Sequence, residues 1–352
     1  MVREGKEGPG FMERAVYGNL GGRTSKVVVG PGRGLDNAVV ALGGGHVMVV
    51  TVDPVSAVPA LGMGLSAWLS VHLIASDLTA SGTDPEFATF SYNFPPTMGA
   101  PEREEFVRSV GAECRRLGIT IVAGNTGSYP GGGFTVIGAG TMFGFATSKG
   151  YVTPSMARVG DAVLMTKHAA IEATASLAYS FPKLLAARAG KDTMTRACTM
   201  VRFCTTVRDA REARKAGLGR SGVTSMHDAT EGGVLGALDE MAYASRKAFV
   251  VDERRIPISA EAELVCASFG IDPLRTMGEG ALLLTCRPER IPVLQRIMSR
   301  AGIPIKQVGQ VEKGKGLFLS HRGGGGLRFK PRPDRYWMAY ERASRLELDR
   351  PS

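Results

Sequence analysis

The spacing of apolar and polar residues changes repeatedly along the chain, which predicts a protein of alternating strands and helices. Apolar residues at every second position, or in short runs, indicate strands, and apolar residues three or four apart indicate helices. We expect the strand at 119–123 to be buried, because it is a nearly continuous apolar run. In the first part of the chain the predicted strands are 27–29, 46–52, 87–94, 119–123 and 134–145, and the predicted helices are 62–75 and 101–117.

The pattern restarts near residue 158, which predicts a second domain. Strands and helices in this mixed order indicate an α+β fold. We therefore expect two domains, 1–158 and 159–322, and a basic tail, 323–352; the segment 321–335 is expected to be flexible. The strands predicted after residue 158 are 162–166, 247–251, 280–285, 306–311 and 316–319, and the helices are 171–178, 182–216, 260–269, 288–301 and 336–348.

Composition limits the classes of function. The 352 residues carry a net charge of +10, which is explained first by a basic surface and second by anionic small-molecule ligands. Nucleic acid ranks last as a partner, because aromatic residues are only 7% and do not interleave with a basic stripe. Five scattered cysteines without a CxxC pair predict a reducing compartment. The apolar run 55–74 is interrupted by proline, glycine and polar residues, so we expect no membrane span and a cytoplasmic protein.

Four oxygen-bearing side chains, Asp36, Asp53, Asp77 and Asn125, follow or border apolar segments of the first predicted domain. An aspartate at the end of a buried strand is costly unless it is paired, capped or bound to a cation. Oxygen ligands from separate loops suit Mg²⁺ that is shared with substrate phosphates, and no His/Cys cluster favours zinc. Each aspartate taken alone is more simply explained as a helix cap or a turn residue.

The segment 221–242, SGVTSMHDATEGGVLGALDEMA, predicts a strand, a glycine-rich turn and the start of a helix. Such a turn presents acidic groups and backbone amides at a position where anions can bind. Asp228 opens the turn, and His227 or Glu231 could act as a general base. The alternatives are an ordinary capped helix, a hydrogen-bonded loop histidine and a glutamate that favours the helix dipole.

Five segments resemble, in this order, the PurM-like superfamily of ATP-dependent enzymes. The superfamily includes aminoimidazole ribonucleotide (AIR) synthetase, selenophosphate synthetase, thiamine-monophosphate kinase and the hydrogenase-maturation protein HypE. The chain looks most similar to HypE and to archaeal AIR-synthase-related proteins. The matching segments are GLDNAVV at 34–40, TVDP at 51–54, ASDLTASGTDP at 75–85, GITIVAGNT at 118–126 and MHDATEGGV at 226–234.

The resemblance implies an N-terminal α+β domain that dimerises sheet to sheet and a C-terminal αβ domain. ATP and Mg²⁺ would bind between the domains, near the dimer interface. Asp36, Asp53 and Asp77 would hold Mg²⁺, and Asp228 would close the site from the second domain. The residues expected to contact the nucleotide are Gly124, Asn125, Thr126, Gly82 and Lys26, of which Lys26 rests only on a glycine-rich stretch that matches no P-loop spacing.

Three departures from the family pattern bear on function. Asn125 stands where relatives usually have an acidic residue, so we expect weaker or fewer Mg²⁺ ions. Leu35 stands where kinases of the thiamine type often have a further aspartate. The sequence ends in Ser352, whereas HypE ends in a cysteine that is itself modified, so we do not expect the self-modifying HypE activity.

We therefore expect an enzyme that uses ATP and Mg²⁺ to phosphorylate or activate an oxygen of an unidentified small molecule. One alternative is a HypE-like maturation partner without the cysteine chemistry. Another is a non-enzymatic, nucleotide-binding dimer. Lys167 and His168 could line the substrate pocket, although a solvated turn explains them equally well.

Overall fold

Two mixed β-sheets organise the chain in the computed structural model, which describes residues 5, 7–131, 133, 135–320 and 326–348. The first sheet has the strand order β1-β2-β3-β6-β4-β5; β4 and β5 run parallel, and the other neighbours are antiparallel. Its strands are β1 Val27–Val29, β2 Ala38–Gly43, β3 His46–Ser56, β4 Phe87–Phe94, β5 Thr120–Ser128 and β6 Val136–Thr147.

Helices cover one face of this first sheet. A short helix, α1 (Pro9–Phe11), comes before it; α2 (Gly62–Thr79) and α3 (Ala100–Leu117) form the cover. The inward residues of β3 and β4 alternate with outward ones and join both helices in one apolar core. By length and composition Pro59–Thr79 could cross a membrane, but 72% of that window is buried inside the fold, as in a core helix.

The second sheet has helices on both faces. Its strand order is β13-β12-β9-β11-β7-β10-β8, with only β9 and β12 parallel among the described strands. One apolar cluster packs α8 on one face, and another packs α7 and α10 on the opposite face. The elements are β7 Ala162–Thr166, α4 Ile171–Ser180, α5 Pro182–Ala189, α6 Lys191–Thr199, α7 Val207–Ala213, β8 Val223–Asp228, α8 Gly233–Ser245, β9 Ala248–Val251, α9 Ala260–Phe269, β10 Leu282–Cys286, α10 Ile291–Arg300, β11 Ile305–Glu312, β12 Gly316–Ser320, β13 Gly326–Arg328 and α11 Tyr336–Leu348.

The two halves meet along β8, the last strand of the second sheet. Every residue of β8 is buried, because the first half of the chain covers this edge. Ion pairs also join the halves: Arg211 and Arg214 each lie 2.6 Å from a carboxylate oxygen of Asp84, and Arg33 lies 2.8 Å from Asp239.

Two predicted elements differ from the structure in ways that affect the site. The strand predicted at 119–123 is not buried: β5 is the edge of its sheet, and eight of its nine residues are exposed. An apolar run does not reveal strand order, so periodicity could not separate an edge strand from a central one. β5 also continues through Gly124, Asn125 and Thr126, which therefore lie in a strand and not in a turn.

The segment that follows β12 also differs from the expected flexible tail. Residues 321–325 and 349–352 lie outside the described residues, but β13 pairs with β12, and α11 covers the predicted range 336–348. The α11 residues Tyr336, Ala339 and Ala343 belong to the same apolar cluster as α4, α5 and α9. The described part of the tail is therefore an integral part of the second half.

The contribution of α11 can be tested by truncating a side chain on each of its faces. Tyr336 is buried, and its hydroxyl lies 2.6 Å from the Ser176 hydroxyl, whereas Met338 on the same helix is 62% exposed. We expect Tyr336→Ala to lower the free energy of unfolding by about 3 to 5 kcal/mol. Met338→Ala should change it by less than about 0.5 kcal/mol. Urea unfolding measures both, and equal small effects would contradict the packing of α11.

Candidate active site at the junction of the two halves

The strand β8 delivers His227 and Asp228 to the junction, and both side chains are buried. The chain then turns sharply at Gly232 and Gly233, which have φ of +88° and +66°, before α8 begins. At Gly233 an added Cβ would lie 2.7 Å from the carbonyl oxygen of Thr276, so only glycine fits this turn without a shift. The glycine-rich turn predicted after Asp228 is therefore present.

His227 links the two halves through both of its ring nitrogens. Nδ1 lies 2.7 Å from Oδ2 of Asp36, in the loop before β2, and Nε2 lies 3.2 Å from Oε2 of Glu240 on α8. Burial alone would lower the pKa of His227, but the two carboxylates outweigh burial and raise this pKa well above its usual value. The ring is therefore buried between two acids that favour its protonated form.

The two carboxylates bear on the role predicted for His227. A raised pKa favours the protonated ring, which is less suited to accept a proton, and the role of His227 as a general base stays a prediction. Asp36, His227 and Asp228 lie close enough together to hold a metal ion. In this arrangement the two aspartates offer oxygen ligands, and His227 lies beside them as a hydrogen-bond partner of Asp36.

Asp77 joins Asp36 through Thr51 of β3. The Thr51 hydroxyl lies 2.9 Å from the backbone oxygen of Asp36 and 3.1 Å from Oδ2 of Asp77. The Asn37 amide donates to the backbone oxygen of Asp77 at 2.8 Å. Asp77 lies in the last turn of α2, which extends four residues beyond the predicted helix. The structure therefore brings Asp36 and Asp77, two of the three predicted metal ligands, together within one chain.

Glu279 adds a buried carboxylate that the sequence analysis did not select. It lies just before β10, and burial followed by the charges of Asp228, Glu172 and Asp53 raises its pKa well above the usual value. Its Oε1 atom has no hydrogen-bond partner in the described structure. The motif Gly-Glu-Gly before a strand is the sequence signal that could have identified Glu279. No motif in the sequence marks Glu172, which lies in the first turn of α4.

Together these acids fit a hard divalent cation. Asp36 and Asp228, from different halves, offer carboxylate oxygens within 4.8 Å of one another, and Asp53 lies near enough to Glu279 to raise its pKa. Oxygen ligands of this kind suit Mg²⁺. Carboxylates buried together repel one another, and a cation or a proton must offset the repulsion. The raised pKa of Glu279 and its Oε1 atom without a hydrogen-bond partner show how closely the carboxylates are packed here.

The predicted phosphate contacts on β5 are not close to these acids within one chain. In the sheet register Asp53 pairs with Gly140, Gly140 with Phe90, and Phe90 with Gly124. Three strand spacings of about 4.8 Å place Gly124 about 14 Å from Asp53. Asn125 and Thr126 are exposed on the same strand. One chain therefore does not assemble Gly124, Asn125 and Thr126 with the acidic cluster.

The remaining predicted site residues have other surroundings. Lys26 is exposed beside β1, and its backbone oxygen accepts from Ala41, at the opposite end of β2 from Asp36. Gly82 has a φ of +80° and packs against Leu218, so its role is conformational. Glu231 is partly exposed in the turn before α8. The structure leaves Glu231 accessible but does not bring Lys26 or Gly82 to the acids.

The residues Lys167 and His168 follow β7. The Lys167 ammonium lies 2.9 Å from Oδ2 of Asp209 and donates to the backbone oxygen of Thr205 at 2.7 Å. Burial is the main cause that lowers the pKa of His168. Both side chains are partly buried, so the solvated-turn alternative is wrong for them. Their role as pocket residues remains a prediction.

Comparisons with known proteins agree with this architecture. The family model for the AIR synthase related protein, N-terminal domain, matches residues 34–146, and that for the C-terminal domain matches residues 158–322. The carbamoyl dehydratase HypE of Rhizobium leguminosarum bv. viciae is 26% identical over 73% of this chain and 70% of its own length. The protein of the same name from Cupriavidus necator is 24% identical over 89% and 86%.

Solved structures share the fold at lower identity. The hydrogenase maturation protein HypE in complex with ATP has a TM-score of 0.67 at 19% identity and covers 92% of both chains. AaThiL complexed with AMPPCP and TMP has a TM-score of 0.65 at 19% identity and covers 84% of this chain and 91% of its own. The two-domain α+β fold and the PurM-like resemblance predicted from the sequence are confirmed.

The buried position of Glu279 predicts how stability depends on pH. The folded state holds a proton on Glu279 at pH values where the unfolded chain, with an ordinary pKa near 4.5, releases it. Stability of the metal-free protein should therefore fall as pH rises through the folded pKa, by about 1.4 kcal/mol for each pKa unit of the shift. We expect Glu279→Gln to flatten this fall in urea unfolding with EDTA between about pH 5 and about pH 9.

The exposed Glu263 supplies the control for that experiment. Glu263→Gln should keep the wild-type dependence of unfolding free energy on pH. Part of the fall should persist in Glu279→Gln, because the raised pKa of His227 acts in the same direction. A Glu279→Gln profile that matches that of wild type would mean that the pKa of Glu279 is not raised in the folded protein.

Proposed function

Since this chain belongs to the AIR synthase related protein family, we propose that it is an ATP- and Mg²⁺-dependent enzyme. It transfers a phosphoryl group to, or activates, an oxygen of a small-molecule substrate. The observation that carries the proposal is the convergence of Asp36 and Asp77 from the first half with Asp228 and Glu279 from the second. Such a cluster of oxygen ligands suits a metal–triphosphate complex.

Each part of the cluster has its own task in this proposal. Asp36, Asp53 and Asp77 would hold Mg²⁺ beside the phosphates, where it would supply neutralisation of their charge. His227 fixes the Asp36 carboxylate through its 2.7 Å contact. The raised pKa of Glu279 favours the protonated carboxyl group, so in this proposal it donates a proton. Asp228 closes the site beside it.

The names of related proteins support the nucleotide part of the proposal. One similar structure contains ATP, and another contains AMPPCP with TMP. Curated relatives are called carbamoyl dehydratase. These names agree with ATP as the phosphoryl donor and with an acceptor of low molecular weight, which the residues of this chain do not identify.

A homodimer completes the site in this proposal. Apolar residues point away from the helices on the first sheet: Val52, Val136 and Phe145 are 64%, 57% and 39% exposed. Exposed apolar side chains on one sheet face are typical of a covered interface. A second copy packed on this face would bring its own Gly124, Asn125 and Thr126 toward the acids that they cannot reach within one chain.

A second candidate function is that of a partner in hydrogenase maturation. The support is that several relatives carry that description and that one similar structure is a HypE–HypF complex. This role and the enzymatic one can coexist, because both place ATP at the same junction. An unchanged rate of ATP hydrolysis across a screen of small acceptors, together with binding of a maturation protein, would favour this second function.

The metal assignment can be tested by thermal unfolding with ATP, with and without Mg²⁺. Ligand at 100 times its dissociation constant should stabilise the wild type by about 2.7 kcal/mol, and most of this gain should require Mg²⁺. Asp77→Asn should abolish the Mg²⁺-dependent part, because it removes a charged ligand. Asp192→Asn, an exposed control, should behave as wild type. Normal Mg·ATP binding by Asp77→Asn would disprove the assignment.

The dimer can be tested by placing a charge on the proposed interface. Val52→Glu should convert the dimer to a monomer in sedimentation equilibrium, since a carboxylate would be buried without a partner. The same variant should lose Mg²⁺-dependent ATP binding, because Asn125 of the second copy would no longer be supplied. Leu264→Glu, at an exposed apolar position on α9, is the control. A Val52→Glu protein that remains dimeric would place the interface elsewhere.

A further inference from the structure

A groove lies at the carboxyl ends of β4 and β5, away from the acidic cluster. These two parallel strands are joined by α3, and ligands commonly bind outside the carboxyl ends of parallel strands. The groove has a volume of about 650 Å³. Its lining residues are Phe94, Arg103, Glu104, Val107, Arg108, Thr126, Gly127 and Ser128.

We propose that this groove binds a phosphate group of a small molecule, held by Arg103 and Arg108. Guanidinium groups bind phosphate through paired N–H donors, which makes arginine the usual residue for such a site. In the described part of the chain neither arginine forms an ion pair. The Nε atom of Arg103 donates to the backbone oxygen of Met98 at 2.7 Å, which fixes the side chain and leaves its terminal nitrogens for a ligand.

Neutral donors complete the groove opposite the arginines. Thr126 contributes a hydroxyl group, and β5 is the edge strand of the described sheet, so its outer backbone N–H groups have no strand partner there. The Ser128 hydroxyl donates to the backbone oxygen of Phe94 at 3.1 Å and holds the ends of β4 and β5 together. The groove thus has charged donors on one wall and neutral donors on the other.

This groove differs in charge from the cavity next to it. The second cavity, of about 360 Å³, lies near the start of α3 and is lined by Glu102 and Glu105. None of the described residues that line it is lysine or arginine. The first groove carries two arginines against Glu104 alone, so an anion is attracted to it and repelled by its neighbour.

The groove is also distinct from the acidic cluster of the same chain. Asp53 shares a row of the sheet with Phe90 and Gly124, whereas the groove lies at Phe94 and Ser128, four residues further along both strands. Four residues correspond to about 13 Å along the strands, at right angles to the lateral separation of about 14 Å. A phosphate in the groove therefore cannot contact Asp53 of its own chain.

The test uses isothermal titration calorimetry of the full chain with inorganic pyrophosphate in EDTA, so that no metal assists binding. We expect wild type to bind and Arg108→Ala to bind at least tenfold more weakly. Arg115→Ala removes an exposed arginine from the same helix outside the groove, so it should weaken binding less than about twofold. Asp77→Asn should bind like wild type, which separates this site from the metal site.

Two results would overturn the proposal. The first is no detectable binding of pyrophosphate or ADP by the wild type at millimolar concentration. The second is an equal loss in Arg108→Ala and Arg115→Ala, which would indicate diffuse attraction to a basic surface. If ADP binds more tightly than pyrophosphate and both depend on Arg108, the phosphate belongs to a nucleotide; equal affinities would indicate recognition of phosphate alone. Thermal unfolding of each variant verifies that it is folded.

Discussion

The structure depends on burying negative charge where its two halves meet. Moving carboxylates into an apolar interior has a large desolvation free energy, and each carboxylate needs a positive partner nearby. His227 provides one such partner, because its ring lies 2.7 Å from Asp36 of the first half and 3.2 Å from Glu240 of the second. The pairs of Asp84 with Arg211 and of Arg33 with Asp239 repeat this arrangement at the edges of the same junction. The contacts that join the halves are thus also the contacts that shape the site.

Several carboxylates are buried together at this junction. Glu279 lies among Asp228, Glu172 and Asp53, and burial together with these charges raises its pKa well above the usual value. A protein that only needed a stable junction would fill this space better with apolar side chains. The retained carboxylates are the groups that the proposed function uses to hold a cation.

The sequence predicts the elements of the site more successfully than their arrangement. The strands 27–29 and 87–94 and the helix 336–348 match the structure, because each has a clear period and distinct ends. Asp36, Asp77 and Asp228 were selected and do converge. Glu279 was missed because its proximity to Asp228 follows from the pairing of β10 with β8, where Leu282 is opposite Asp228. Sheet order, which periodicity does not encode, also placed Asn125 away from the acids.

The amide at position 125 is consistent with this charge balance. In the proposed dimer Asn125 of the second copy approaches a cluster that already holds several carboxylates. Another unit charge about 4 Å from one of them would add about 4 kcal/mol of repulsion at an effective dielectric constant of about 20. An amide oxygen supplies a ligand atom without that repulsion. In the proposed site, asparagine would therefore attract Mg²⁺ less strongly than an acid would, but it would add no repulsion to the carboxylates already there.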